Sequence, residues 1–99
     1  MIIYRVIHRR MKLNLTKPLI VFDLETTGLD LVNDRIIQIS FIKVHPDGKE
    51  ERENIFINPE KLIPAEVTLL TGISDADVAD APTFKQKAKD LSDKFAGCD

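Results

Sequence analysis

The sequence is poor in cysteine and in long apolar runs. Cys98 is the only cysteine among 99 residues, which excludes an internal disulfide and a cysteine-based metal site. An unpaired thiol is typical of a reducing compartment, so we expect a cytoplasmic protein. No apolar stretch is long enough to cross a bilayer, so we expect no membrane partner. Repeats, low-complexity tracts and linkers are also absent from the sequence, which therefore predicts a single domain.

Basic residues are scarce after the first eighteen positions. Residues 1–18 contain five basic residues and no acidic residue. Residues 19–99 contain nine basic against sixteen acidic residues, a formal charge of −7 that the whole-chain value of −2 conceals. Such an acidic segment does not favour nucleic acid by bulk charge, so binding of a polyanion would need a local cation.

The first ten residues form a short apolar and basic leader. A signal peptide would need a longer apolar core and a small-residue cleavage site, and neither is present. A basic arm that contacts phosphate is the other alternative, but nothing else in the sequence supports it. We therefore expect residues 1–10 to be a disordered or spurious extension, and residues 11–99 to form the domain.

Three apolar runs predict three strands. They cover Leu19–Leu24, Arg35–Val44 and about Glu51–Ile57. The segment 45–48 (HPDG) has the composition of a tight turn, so the second and third strands should form a hairpin. Short connections of this kind predict an antiparallel three-stranded sheet.

The hydrophobic period changes after Asn58 and predicts helices. The first should begin near Pro64 and end at Gly72, and residues 73–81 should form a short helical turn or loop. The last helix should begin after the N-cap Thr83, with one apolar face and an end near Gly97. The apolar face consists of Phe84, Ala88, Leu91 and Phe95. We therefore expect an α/β fold in which the sheet is followed by helices.

Two carboxylates stand in the first strand. Alternation along a strand places Asp23 and Glu25 on one face, about 6.5–7 Å apart at the backbone, and turns Phe22 and Leu24 towards a core. Two like charges at the end of an apolar strand need a compensating cation, and carboxylate oxygens favour Mg²⁺ or Mn²⁺. The alternative is that one acid caps the following loop or pairs with Arg35.

The sequence around these acids, VFDLETTGL, resembles the first motif of the DEDD 3′–5′ exonucleases. This family includes the proofreading epsilon subunit of bacterial DNA polymerase III. RIIQIS is similar to the family's second strand, and INP followed by IPAEVTLLTGISDADVADAPTF is similar to its third-strand exit and first helix. The resemblance covers about residues 19–95 and implies a ribonuclease-H-like fold with a mixed sheet. It also implies hydrolysis from a single-stranded 3′ end of DNA or RNA, with release of nucleoside 5′-monophosphates.

The resemblance also implies roles for individual residues. Asp23 would bridge two divalent ions, Mg²⁺ or Mn²⁺, and Glu25 would bind one of them. The other candidates would contact the 3′-terminal nucleotide, and a DNA polymerase is a candidate partner. Thr26 would use its backbone and hydroxyl, and Leu29 would pack against the terminal base. Glu66 and Thr71 would complete these contacts, although the family often has histidine where this chain has Thr71.

Two carboxylates and a general base of the family have no counterpart in this sequence. In the family these groups follow the region that resembles residues 19–95, and neither His8 nor His45 is expected to act as the base. Two hypotheses remain open. The chain is the N-terminal part of a longer exonuclease, inactive by itself, or it is a non-catalytic metal-binding, nucleic-acid-binding or structural module.

Overall fold

Three strands organise residues 14–99, the part of the chain that the computed structural model describes. They are β1 (Leu19–Thr26), β2 (Ile36–Val44) and β3 (Glu50–Phe56), which pair antiparallel in the order β1-β2-β3. The predicted turn joins β2 to β3, and the His45 N–H donates to the Lys49 carbonyl at 2.8 Å. The prediction of a three-stranded antiparallel sheet is confirmed. The predicted leader, residues 1–10, lies outside the described residues.

The helix boundaries follow local sequence signals. The helices are α1 (Ala65–Thr71), α2 (Asp75–Val78) and α3 (Phe84–Phe95). Gly72 ends α1 because it takes a φ of 77°, a left-handed conformation that costs glycine little. Capping boxes begin α2 and α3, and the one at α3 pairs Thr83 with Gln86. No helix within residues 14–99 is both long enough and apolar enough to cross a membrane.

Helix α3 covers one face of the sheet. Leu91 is buried among Ile39, Phe41 and Ile57, and the rings of Phe41 and Phe95 meet edge to face with centroids 5.1 Å apart. The predicted apolar face is therefore buried towards the C-terminal end of α3. Phe84, in its first turn, is 48% exposed.

A second cluster fixes α1 and α2. Ile37 of β2 packs with Ile63, Ile73 and Val78, and Val67 of α1 contacts this cluster. Ile37 follows Ile36, which is the register partner of the last residue of β1. The cluster therefore places α1 at the end of the sheet where β1 ends.

The burial predicted for β1 is wrong. Phe22 and Leu24 lie on the face that α3 covers, since they pair with Phe41 and Ile39, but they are 58% and 39% exposed. The reason is that β1 is an edge strand of the described sheet. The buried residues of this face lie instead on β2, just after β3 and on α3. At the other end of β1, the Ile20 N–H donates to the Asp99 carbonyl and the Asp99 N–H donates to the carbonyl of Pro18, just before the strand, both at 2.8 Å.

Candidate metal centre and nucleotide site

The two candidate metal ligands lie on the face of β1 opposite α3. Asp23 pairs with Ser40 and Glu25 with Gln38, whereas the intervening Leu24 pairs with Ile39 beneath α3. The strand register therefore places the two carboxylates on one face, as the sequence predicts. Polar neighbours continue across this face, where the Ser40 hydroxyl donates to the Asn54 side-chain oxygen at 2.8 Å.

Neither carboxylate has a protein partner within residues 14–99. Asp23 and Glu25 accept no hydrogen bond from another side chain and form no ion pair there, and Arg35 does not neutralise either of them. Two adjacent carboxylates without a protein cation fit a hydrated divalent ion, since Mg²⁺ usually takes one or two carboxylates and keeps several waters. The described residues contain no group of three or more potential metal-ligating side chains, so these two acids supply only part of a donor set.

The carboxylates stand on an open surface rather than in a cavity. A cavity of about 620 Å³ lies nearby, but its lining includes Phe84 and Ala88 of α3 and Ile36, which packs against the cluster between α3 and the sheet. Asp23 and Glu25 are on the other face.

The threonines that follow β1 use their hydroxyls inside the loop. Thr26 Oγ1 donates to the Gly28 carbonyl at 2.6 Å, and Thr27 Oγ1 donates to Asp34 Oδ1 at 2.7 Å. Thr27 is only 1% exposed and also accepts a hydrogen bond of 2.9 Å from the Arg35 N–H. The resemblance implies a nucleotide contact for the Thr26 hydroxyl, but in this structure both hydroxyls form hydrogen bonds within the loop.

Asp34 also holds the loop after β1, and the sequence motif did not indicate this role. Besides Thr27, its carboxylate accepts the Asp30 N–H at 2.8 Å, and it lies 3.5 Å from the Lys61 ammonium. The Thr27 hydroxyl, together with the Asp30 amide, lowers the pKa of Asp34 and favours the ionised form. The available signal was the cluster of Asp and Asn residues in segment 30–34, which is typical of side-chain-stabilised turns.

The candidate nucleotide contacts come from two separate elements. Leu29 projects from the loop and is 99% exposed, which suits a side chain that packs against a ligand. Glu66 is exposed in the first turn of α1. Thr71 ends α1, where its hydroxyl donates to the Val67 carbonyl at 2.9 Å. The structure therefore places Leu29 and Glu66 where a ligand can reach them, but leaves the Thr71 hydroxyl in a helix-terminal bond.

The sequence of this chain is similar to sequences of known proteins. The profile of the exonuclease family matches residues 20–98. PolC-type DNA polymerase III of Caldanaerobacter subterraneus is 40% identical over 67 residues, which is 68% of this chain and 5% of that protein. The epsilon subunit of DNA polymerase III from Buchnera aphidicola is 36% identical over 85 residues, 80% of this chain and 36% of that protein. The chain thus spans about a third or less of these relatives.

Solved exonuclease structures share the fold. Exonuclease X in complex with 5′ overhanging duplex DNA has a TM-score of 0.62 at 27% identity, covering 74% of this chain and 42% of that one. Exonuclease I from Methylocaldum szegediense has a TM-score of 0.69 at 25% identity, covering 82% and 19%. The sheet and helices described above correspond to part of this ribonuclease-H-like exonuclease fold.

Proposed function

The chain belongs to the exonuclease family, and from this membership we propose that residues 11–99 are the N-terminal part of a metal-dependent 3′–5′ exonuclease domain. The substrate would be a single-stranded 3′ end of DNA or RNA, and the product a nucleoside 5′-monophosphate. One observation carries the proposal. Asp23 and Glu25 share a face of β1, have no protein partner within residues 14–99, and stand directly before a tightly bonded loop.

Asp23 and Glu25 are the residues that would hold Mg²⁺ or Mn²⁺. When bound, a pair of such ions stabilises the attacking and leaving oxygens of phosphodiester hydrolysis. The chain itself would orient the nucleotide. Leu29 would pack against the terminal base, and Thr26, with Glu66 and Thr71 of α1, would contact the terminal nucleotide. A DNA polymerase is a candidate partner because the relatives named above are polymerase proteins.

We further propose that these 99 residues bind metal and nucleotide but do not hydrolyse a phosphodiester bond. Residues 14–99 place no third carboxylate and no histidine beside Asp23 and Glu25, and His45 is paired with Glu51 at 3.0 Å beside the β2–β3 turn. The same observation favours the second candidate function, a non-catalytic module that binds metal or nucleic acid. The two candidate functions differ in whether a longer form of the chain would hydrolyse nucleic acid.

Metal binding can be tested on the 99 residues directly. Mn²⁺ should broaden the amide NMR signals of residues 22–26 and of their β2 partners, because a bound paramagnetic ion relaxes nearby nuclei. Asp23→Asn should abolish the broadening. Asp47→Asn, which makes the same change at an exposed turn position, should not. Broadening that persists in Asp23→Asn would place the ion elsewhere and contradict the proposed site.

Activity distinguishes the two candidate functions. With Mg²⁺ or Mn²⁺, the 99 residues should release little or no mononucleotide from single-stranded DNA labelled at its 3′ end. A chain extended beyond Asp99 to the length of its relatives should release it, and Asp23→Ala should abolish that release. An extended chain that binds Mn²⁺ at Asp23 but releases nothing would favour the non-catalytic module. Robust release by the 99 residues would contradict the proposed inactivity.

A further inference from the structure

Residues that contact Asp34 flank Leu29, a fully exposed residue of the loop after β1. Its carboxylate accepts hydrogen bonds from the Thr27 hydroxyl and from the Asp30 N–H, and its own N–H donates to the Asp30 carbonyl at 2.9 Å. Leu29 lies between these attachment points and is 99% exposed. The position of Leu29 therefore depends on bonds made by its neighbours rather than on packing of its own side chain.

Gly28 leaves the space that Asp34 occupies. A Cβ at position 28 would lie 2.5 Å from Asp34 Oδ2 and 2.9 Å from its Cγ, closer than real Cβ atoms approach other atoms. The carboxylate is thus packed directly against the backbone of Gly28. Residues 27, 28 and 30 all contact the same carboxylate, so this one side chain fixes the path of the loop.

Lys61 connects the loop to the segment that leads into α1. Its ammonium lies 3.5 Å from Asp34 Oδ1 and donates to the Asn33 carbonyl at 3.2 Å. The segment is anchored immediately afterwards, since Ile63 is 6% exposed and donates its N–H to Asp75 at 2.8 Å. Glu66 follows in the first turn of α1. Asp34 and Lys61 therefore join the two elements that carry Leu29 and Glu66.

We infer that Asp34 is a positioning residue of the nucleotide site, which sets the placement of Leu29 and, through Lys61, of Glu66. Asp34 is not a metal ligand, because its oxygens are engaged with the loop and Lys61. The inference rests on the proposed function, since a nucleotide must bind at these residues for their placement to matter. It assigns to Asp34 and Lys61 a role in nucleotide affinity that is separate from metal affinity.

The experiment compares two affinities in the 99-residue chain. Mn²⁺ affinity is measured without nucleotide by water-proton relaxation. Affinity for thymidine 5′-monophosphate is measured in saturating Mg²⁺ by amide chemical-shift titration. The variants are Asp34→Ala, which removes the bonds that the Asp34 carboxylate makes to the loop and to Lys61, and Lys61→Met, which removes only the connection to the α1 segment. Asp93→Ala and Lys49→Met are the matched controls at exposed positions outside the site. Circular dichroism sets a temperature at which every variant is folded.

We expect Asp34→Ala to weaken thymidine monophosphate binding by about tenfold or more, and Lys61→Met by a smaller factor, because misplaced supporting residues commonly cost that much. Mn²⁺ affinity should stay within about twofold in both variants, since Asp23 and Glu25 belong to β1 and not to the loop. The controls should match the wild type in both measurements. Lys61→Met is the sharper test because it leaves the bonds of Asp34 to Thr27 and Asp30 in place.

Unchanged nucleotide affinity in folded Asp34→Ala would overturn the inference and leave the proposed function standing. A parallel loss of Mn²⁺ and nucleotide affinity would also overturn it, because Asp34 would then only maintain the local fold. A wild-type chain that binds neither Mn²⁺ nor thymidine monophosphate would overturn the proposed function and, with it, the inference.

Discussion

Replacement of Thr27 by valine tests the loop after β1 at its most buried polar group. Valine keeps the shape of threonine and removes only the hydroxyl, which donates to Asp34 and accepts from the Arg35 N–H at 2.9 Å. Since Thr27 is 1% exposed, the Arg35 N–H would lose its partner next to a buried side chain. An unsatisfied buried donor costs about 1–3 kcal/mol. We expect the free energy of unfolding to fall by about that amount.

Thermal unfolding followed by circular dichroism measures this loss. For a domain of this size, each kcal/mol lowers Tm by about 4–8 °C, so the Tm of Thr27→Val should fall by roughly 5–20 °C. Thr27→Ser is the matched control, since it keeps the hydroxyl and loses only a methyl group, and its Tm should fall less. A Thr27→Val variant as stable as the wild type, or less affected than Thr27→Ser, would refute the claim that the Thr27 hydroxyl stabilises the fold.

The same comparison has a pH dependence with a defined sign. The Thr27 hydroxyl is the main cause of the lowered pKa of Asp34, so its contribution through Asp34 is complete above the ordinary carboxyl pKa of about 3.8. This contribution is lost as the pH falls through the lower pKa of the folded state. The Tm difference between wild type and Thr27→Val should therefore be smaller near pH 2 than at pH 7, because acidification protonates the Asp34 carboxyl. A difference that grows on acidification would contradict the Thr27–Asp34 bond.

Three further substitutions test the packing and the surface, each by urea unfolding. Leu91→Ala should lower the free energy of unfolding by about 2–5 kcal/mol, because Leu91 is 6% exposed on the face of α3 that packs against the sheet. Lys94→Met should cost no more than about 1 kcal/mol at pH 7, since its ion pair is partly exposed to solvent. Glu53 raises the pKa of Lys94, so this cost should vanish as the pH rises above 10.5. Phe22→Ser should change stability by less than about 1 kcal/mol, because Phe22 is 58% exposed; a larger loss would show that Phe22 is covered in solution.

The elements with local signals were predictable from the sequence. Thr83 and Gln86 form the capping box that starts α3, and Gly72 ends α1 in the left-handed conformation expected of it. The shared face of Asp23 and Glu25 followed from the period of two along a strand. These features depend on residues within a few positions of one another, which is why one sequence suffices to place them.

The role of Asp34 could not be predicted from spacing alone. Asp34 lies seven residues from Thr27 and twenty-seven from Lys61, and only the folded loop brings their polar atoms together. A glycine such as Gly28 can permit a tight turn or a close approach by a ligand. The structure shows that the close approach is made by Asp34 of the same chain. A glycine beside a metal motif thus has two physical explanations, and the sequence does not choose between them.

The exposure of Phe22 and Leu24 has a topological cause. The apolar run of β1 is typical of a strand buried on its faces and paired on both edges, but the described sheet pairs β1 with β2 on one edge only.

On the other edge, the Ile20 N–H donates to the Asp99 carbonyl and the Asp99 N–H donates to the Pro18 carbonyl, the pattern of a parallel pair. Because backbone groups alternate between the two edges of a strand, those of Phe22 and Leu24 face the same edge as those of Ile20. The prediction of a buried strand failed because an apolar run does not reveal the position of its strand in the sheet, and β1 lies at the edge of the described sheet.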